Sequence, residues 1–354
     1  MAHEPGQDGR GRRWTRRPAG SNWGEFGDDD ELGRLNLLTR DCVLRGVAEV
    51  REGRSFCLSL PLDYPGGNVL SAARHPPVLR PSQRAGRPYY AYRLECEDPR
   101  MTDVINDDLA VLHLQYSTQW DALGHVGALF DADGDGTPEV VFYNGFRADT
   151  HFVPPAAADA AGIGTRTTVG ARALGIDRLA EQGLQGRGVL IDLEKHYGQG
   201  RTLVGYELMM RALEADKVAI EPGDIICLHT GFARVILDMG KQPDGAVLAR
   251  ACAVLDGRDA ALLRWIDESG LVAIAADNYA VEQNPARDQR DCCASLPLHE
   301  HCLFRLGIPL GELWYLTELA GWLRANGRSR FLLTAPPLRL PGAIGSPVTP
   351  IATV

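Results

Sequence analysis

Eleven residues, Gln115-Tyr-Ser-Thr-Gln119-Trp120-Asp121-Ala-Leu-Gly-His125, hold two amides, a carboxylate, an indole and an imidazole. Polar groups bunched next to an apolar run are costly unless they satisfy each other or do chemistry. Asp121 and His125 are four apart, so a helical turn after Thr118 would set them on one face. A carboxylate that orients an imidazole makes a general base near neutral pH. The bland alternative is a helix-capping Asp beside a satisfied buried His. Three further clusters end apolar runs: His229-Thr230-Gly231, Asp277-Asn278-Tyr-Ala-Val-Glu282, and His299-Glu300-His301, with Glu312 thirteen residues after His299. Neutral imidazole suits zinc and manganese. On a helix the two rings of His-x-His point to different sides, so one of them is expected at the site. Trp120 reads either as core or as an aromatic wall for a planar substrate. Asn278 and Glu282 read either as supports or as substrate contacts.

These groups need strands and helices to bring them together. Leu109–Leu114 alternates like a strand, and further strands are expected at 55–60, 88–96, 187–192, 225–229, 271–276 and 331–334. Helices are expected from about 39 to 51, 205 to 215, 256 to 270, 298 to 306 and 310 to 323. Pro, Gly, Ser and Arg crowd residues 64–88, which predicts a long loop or lid that shapes the pocket, and 156–172 are small and flexible in composition. Asp131-Ala-Asp-Gly-Asp-Gly imitates the start of a calcium loop, but Phe142 stands where the bidentate Glu would be, so an acidic surface turn is expected. This mixture predicts an α/β (α+β) fold as a single large domain over residues 21–354, with 1–20 as a flexible basic tail. Arg10, Arg12, Arg13, Arg16 and Arg17 crowd that tail around Trp14, which reads as a solvated run or as an arm for a partner subunit or an anion.

The 354 residues carry a net charge of −9, which argues against nucleic acid as a partner. No run of about 18 apolar residues and no secretory h-region occur, so neither membrane nor export is expected. Eight scattered cysteines fit a reducing cytoplasm. No phosphate-binding glycine fingerprint, no Gly-x-Ser-x-Gly elbow and no cysteine-nucleophile motif is present.

The chain resembles the cyclase family that includes bacterial kynurenine formamidase and isatin hydrolase. The resemblance rests on Asn22-Trp-Gly, Asp29-Asp-Glu-Leu-Gly33, Leu35-Asn-Leu-Leu-Thr39, Tyr143-Asn-Gly145, Gly186–Asp192, Pro222-Gly-Asp224, Thr230-Gly231, Asp277-Asn278-x-Ala-Val-Glu282 and Ala335–Gly342. It implies a swivelling β/β/α domain, a small-molecule substrate and a homodimer or homotetramer. The family's metal motif is His-x-Gly-Thr-His-x-Asp-x-x-x-His. Thr118, Asp121 and His125 match it, whereas Gln115 and Gln119 replace two histidines and Ser117 the glycine. By resemblance His299 and Glu312 fall where hydrolytic members place a further His and Glu.

The resemblance therefore implies a hydrolase of an amide, formamide or lactam, with His125, Asp121, His299 and Glu312 catalytic and Gln115, Gln119, Trp120, Asn278 and Glu282 around the substrate. Asp121, Gln119, His299 and Glu312 are the candidate ligands of one divalent metal, Zn²⁺, Mn²⁺ or Mg²⁺. An amide oxygen binds zinc far more weakly than imidazole does, so the two glutamines favour a harder ion or no metal. Two other readings stay open: a metal-independent cyclase or dehydratase of natural-product (secondary) metabolism, and a non-catalytic ligand-binding protein.

Overall fold

The computed structural model describes residues 12–153, 167, 169–289 and 293–354. Its centre is a nine-stranded sheet. In chain order the strands are β1 (Ser55–Cys57), β2 (Gln119–Asp121), β3 (Gln185–Asp192), β4 (Ile225–His229), β5 (Ala273–Ala276), β6 (Leu310–Glu312), β7 (Arg330–Thr334), β8 (Gly345–Pro347) and β9 (Ile351–Thr353). Across the sheet they run β1-β9-β7-β3-β4-β5-β6-β2-β8. The central four, β3 to β6, are parallel, and β2 lies antiparallel between β6 and β8.

The central strands are buried along almost their whole length because both faces are covered. Alternate residues feed two cores. Ile226, Leu228, Ile274 and Leu310 join Phe304 and Leu123 on one face. Ile225, Cys227, Ala275 and Trp120 join Trp314 and Phe331 on the other. Among the helices, α1 (Arg40–Val47) lies over β3 and β7, and α2 (Tyr206–Asp216) packs with α3 (Ala260–Glu268). Asp259 accepts from the amides of Ala261 and Leu262 and so caps α3. Helix α4 begins as one α-helical turn, Pro297–His299, and continues as π-helix over Glu300–Leu306. Helix α5 (Thr317–Ala325) covers the second face with Leu319, Ala320 and Leu323.

Several expectations need correction. The segment after Thr118 is a strand, not a helix. Its polar sequence hides the strand, which exists because partners on both sides satisfy its backbone. The stretch expected as a helix from 310 opens as β6, and helix begins only at Thr317. The strands expected at 88–96 and 109–114 shrink to Tyr92–Arg93 and Asp108–Val111, in small two-stranded ribbons outside the main sheet. The loop 64–88 carries a strand of its own, Val78–Pro81, paired with Asp108–Val111. Residues 12–20 lie against the body rather than forming a loose tail. Trp14 is buried edge-on against Trp23, and the amides of Thr15 and Arg16 donate to the carbonyl of Ala132. Arg16 pairs with Asp131, and Arg147 with Asp133 and Glu139, so basic side chains neutralise the acidic turn. Residues 1–11 and most of the small-residue stretch, 154–166 and 168, lie outside the described residues. Among the described residues no helix is long and apolar enough to cross a membrane.

Candidate active site

Strand period sets the site. Gln119 and Asp121 point to one face of β2, and Trp120 between them points to the other. Glu312 stands directly across from Gln119 on β6, so its carboxylate shares that face. Thr118 pins the entry to β2: its hydroxyl donates to the carbonyl of Leu313 at 2.6 Å and accepts from the amide of Leu60 at 2.9 Å. Helix α4 brings His299 over the same face. Its Nε2 is 3.3 Å from Glu312 Oε1, and its Nδ1 is 2.8 Å from Glu282 Oε1. Glu282 also accepts from the amides of Leu298 and His299, where a carboxylate at a helix N-terminus is favourable.

One oxygen or nitrogen from each of Asp121, His299 and Glu312 lies within 4.8 Å of the others, and all three residues are buried. The Gln119 amide completes the group. In one orientation its nitrogen donates to the carbonyls of Gln115 (2.5 Å) and Ser117 (3.2 Å). Its oxygen then faces Asp121 Oδ1 and Glu312 Oε2, each at 3.4 Å. Three oxygen-bearing groups and an imidazole thus converge on one point. Asp121 Oδ2 is buried with no hydrogen-bond partner among the described residues.

The electrostatics follow from this crowding. Burial pushes the Asp121 carboxyl above its ordinary range; His125 pulls it down and Glu312 pushes it further up. Burial also opposes the charge on Glu312, but the hydrogen bond and charge of His299 outweigh it and hold that carboxylate below its usual range. For His299 burial favours the neutral ring, yet the two flanking glutamates win and push its pKa up to about 10.

His125 is brought to this cluster by a tight turn. Its Nε2 is 3.8 Å from Asp121 Oδ1, and its Nδ1 is buried without a partner among the described residues. Gln115 is half-buried against the backbone of Gly345, where an added Cβ would fall 2.3 Å from its amide nitrogen. Two expected substrate contacts are corrected. Trp120 is fully buried on the opposite face; its indole N–H donates to the carbonyl of Ala335 at 2.9 Å and its ring packs edge-on against Trp314. Glu282 has both oxygens engaged by His299 and the start of α4, so it positions His299. Asn278 remains available, with a buried Oδ1 that has no partner. Of the two histidines in His-x-His only His299 reaches the site. His301 turns to the carbonyl of Leu263 at 3.0 Å, and burial takes its pKa down to about 4.

Two residues escaped sequence reasoning. Arg74, in the 64–88 loop, donates to the carbonyl of Gln115 at 2.8 Å and lowers both Asp121 and Glu312 by its charge. Tyr279 has its phenol raised by burial and by Glu312 and Asp121. For Tyr279 the signal lay within its own cluster, Asp277–Glu282. For Arg74 it lay only in the loop's composition.

A second cluster occupies the other face. His229 Nδ1 is 2.9 Å from Asp192 Oδ1, its Nε2 is 3.6 Å from Glu194, and Arg324 on α5 grips Asp192 Oδ2 through Nε and Nη2 at 3.0 and 2.6 Å. Asp277 supports the neighbouring turn by accepting from Thr230 and from the amide of Gly231.

A mixed sheet with a parallel centre and a buried carboxylate, imidazole and amide site at a strand end defines an enzyme of the α/β kind. Residues 58–283 match the family described as "Putative cyclase", and the chain belongs to that family of enzymes. A solved structure described as a novel cyclase is similar over 94% of this chain and 97% of its own, with 29% identity and a TM-score of 0.71. Isatin hydrolase A from Labrenzia aggregata, bound to benzyl benzoate, shares the fold at 12% identity and TM-score 0.52, covering 84% of this chain and 93% of its own. An isatin hydrolase bound to the product analogue thioisatinate does so at 14% identity and TM-score 0.52, over 89% and 99%. No curated protein matches the chain.

Proposed function

We propose that this enzyme is a hydrolase that cleaves the C–N bond of a small amide, formamide or lactam, with a divalent cation held by Asp121, Gln119, His299 and Glu312. The observation that carries this reading is the convergence of those four groups in a buried site where Asp121 Oδ2 has no partner among the described residues. The donor set fits a cation: two carboxylates and an amide oxygen suit Mg²⁺ or Mn²⁺, and the imidazole favours Mn²⁺. Such an ion would act as a Lewis acid toward a substrate carbonyl and make water more acidic. His299 must lose a proton to serve as a ligand, so cation binding is coupled to proton release.

The chain's own groups supply the rest. Glu282 fixes the ring of His299. Gln115 offers amide N–H groups to the substrate carbonyl oxygen as it gains charge. His125, backed by Asp121, takes the proton from water as oxygen bonds to the carbonyl carbon, and delivers it to the nitrogen as the C–N bond breaks. The likeness to isatin hydrolases supports a cyclic amide among the substrates. A second reading, a metal-independent cyclase or dehydratase, is favoured by the glutamines at 115 and 119 and by the direct contact of His299 Nε2 with Glu312 Oε1 at 3.3 Å. Elemental analysis of purified protein, followed by turnover of an amide and lactam panel before and after chelation, decides between them. Activity that is lost on chelation and restored by Mn²⁺ or Mg²⁺ supports the first reading; full activity after exhaustive chelation overturns it.

A further inference from the structure

Residues 78–111 form an arm of three short two-stranded ribbons: Val78–Pro81 with Asp108–Val111, Gln83–Arg84 with Arg87–Pro88, and Tyr92–Arg93 with Val104–Ile105. The ribbon at its root is exposed at every residue, on both faces. A lone two-stranded ribbon is marginal in water. The arm is nonetheless ordered from within. Arg84 grips Glu97 through Nε and Nη2 at 2.8 and 2.7 Å, and the buried Tyr92 donates to the same carboxylate at 2.9 Å.

This ordered arm leaves apolar groups in water. Seven of the eighteen large apolar side chains exposed among the described residues lie here, in about a tenth of the chain. Leu79 is 69% exposed, and Tyr90 and Val104 are 57% exposed. Together the seven expose on the order of 600 Å², most of the roughly 800 Å² that each partner gives to a standard-size interface. Val78, Leu109 and Val111 share one face of the root ribbon by register.

The two edges of that ribbon differ. One is guarded: Pro76 and Pro77 lead into it and Pro81 ends it, and proline offers a neighbouring strand no donor. The other edge, Asp108–Val111, has no proline and no further strand beside it among the described residues. The amide of Ser82 donates to the carbonyl of Asp107 at 2.9 Å, which sets the alternation of the ladder. Bonds within the ribbon then fall at Arg80↔Leu109 and Val78↔Val111, and the N–H and C=O groups of Asp108 and Ala110 point outward. Such an edge takes another strand. Charge favours a second arm as its source. Five arginines against six acidic residues leave the arm at −1 in a chain of −9, so two arms meet without strong repulsion. A two-fold contact needs a surface that complements itself.

The arm's feet stand at the reacting centre. Arg74 precedes it and Gln115 follows it, and Arg74 donates to the Gln115 carbonyl at 2.8 Å. Beside them the amide of His75 donates to His113 Nδ1 at 2.7 Å. Whatever fixes the arm therefore fixes both feet.

We propose that the arm docks on a second copy of this chain: the Asp108–Val111 edges of two arms pair antiparallel about a two-fold axis into one four-stranded sheet, and this contact holds Arg74 and Gln115 at each reacting centre. The docking stands on the arm alone. The hold on catalysis rests on the reading of Asp121, His299 and Glu312 as that centre.

Sedimentation velocity of the full chain at micromolar concentration tests the contact. Wild type sediments as a dimer or a larger assembly, and Ala110→Pro and Leu109→Glu each sediment at half the wild-type mass with unchanged far-UV circular dichroism. A wild-type monomer, or variants that assemble undiminished, overturns the docking. Hydrogen exchange at residues 113–117 reads the feet without any substrate and is about tenfold faster in the variants. Their kcat/KM on the amide panel falls by about tenfold as well. Unchanged exchange, or undiminished kcat/KM, in variants of half mass overturns the hold on the site. An assembled wild-type protein that turns over no amide sinks the hydrolase reading alone, because mass and exchange still decide this proposal.

Discussion

Each face of the sheet carries one buried cluster of histidine and carboxylates, and the two are built to opposite ends. On the α5 face every oxygen of Asp192 is taken: Oδ1 by His229 and the amide of Lys195, Oδ2 by Arg324. Cations and anions there are matched within the chain. On the α4 face Asp121 Oδ2 and His125 Nδ1 have no partner among the described residues, and Asp121 and Glu312 crowd one imidazole. The same residue types are thus spent on stability in one place and left incomplete in the other. An incomplete buried cluster is the mark of a group that meets something from outside the chain.

The largest effect expected is on turnover. Glu312→Gln lowers kcat/KM by about 10³-fold or more, and His125→Ala lowers it by about 10²- to 10⁴-fold. In Glu312→Gln, urea denaturation shows little loss of stability, because His299 keeps its hydrogen bond to Glu282. A Glu312→Gln enzyme of full activity would erase the contrast. The saturated cluster behaves in the reverse sense. Asp192→Asn strands His229 and Arg324 and costs about 3 kcal/mol of stability, read from the urea midpoint. The kcat of the folded enzyme stays within about twofold of wild type, and a collapse of kcat at unchanged stability would give this cluster a catalytic part. Cation binding separates the faces next. Mn²⁺ at about a hundred times its Kd stabilises the protein by about 2.7 kcal/mol in calorimetric melting. The gain disappears in Asp121→Asn and survives in Asp192→Asn.

The smallest effect is on acid stability. His229 and Arg324 outweigh the burial of Asp192 and hold its pKa down at about 2, against an ordinary 3.8. A carboxyl depressed on folding contributes stability that is complete above its unfolded value and is lost as pH falls through its folded one. The wild-type protein therefore loses about 2 kcal/mol between roughly pH 4 and 2 from this group, and Asp192→Asn flattens that limb of the denaturation profile.

Much of the central sheet is legible in the sequence because Arg187–Asp192, Ile225–His229 and Leu271–Ala276 are apolar runs bounded by turn residues. Gln119-Trp-Asp is not legible as a strand, since its alternation puts polar groups inward toward the site and the indole into the core. Leu310–Leu316 mimics a helix because its apolar residues fall at both periods, and only the pairing with β2 and β5 decides. The site residues Asp121, His299 and Glu312 follow from type and family motif. That Glu282 serves His299 and that Trp120 faces away depends on register, which composition does not carry.

The placement of β2 has a consequence for time. Residues 119–121 pair with 310–312 on one side and 345–347 on the other, so the strand finds neither neighbour until most of the chain has been made. Contacts this distant in sequence form late and slowly. The parallel strands can assemble around their own core while synthesis continues, but the carboxylates, amide and imidazole of the site meet only at its end. A partly made chain is therefore chemically silent, and competence arrives in a single late step.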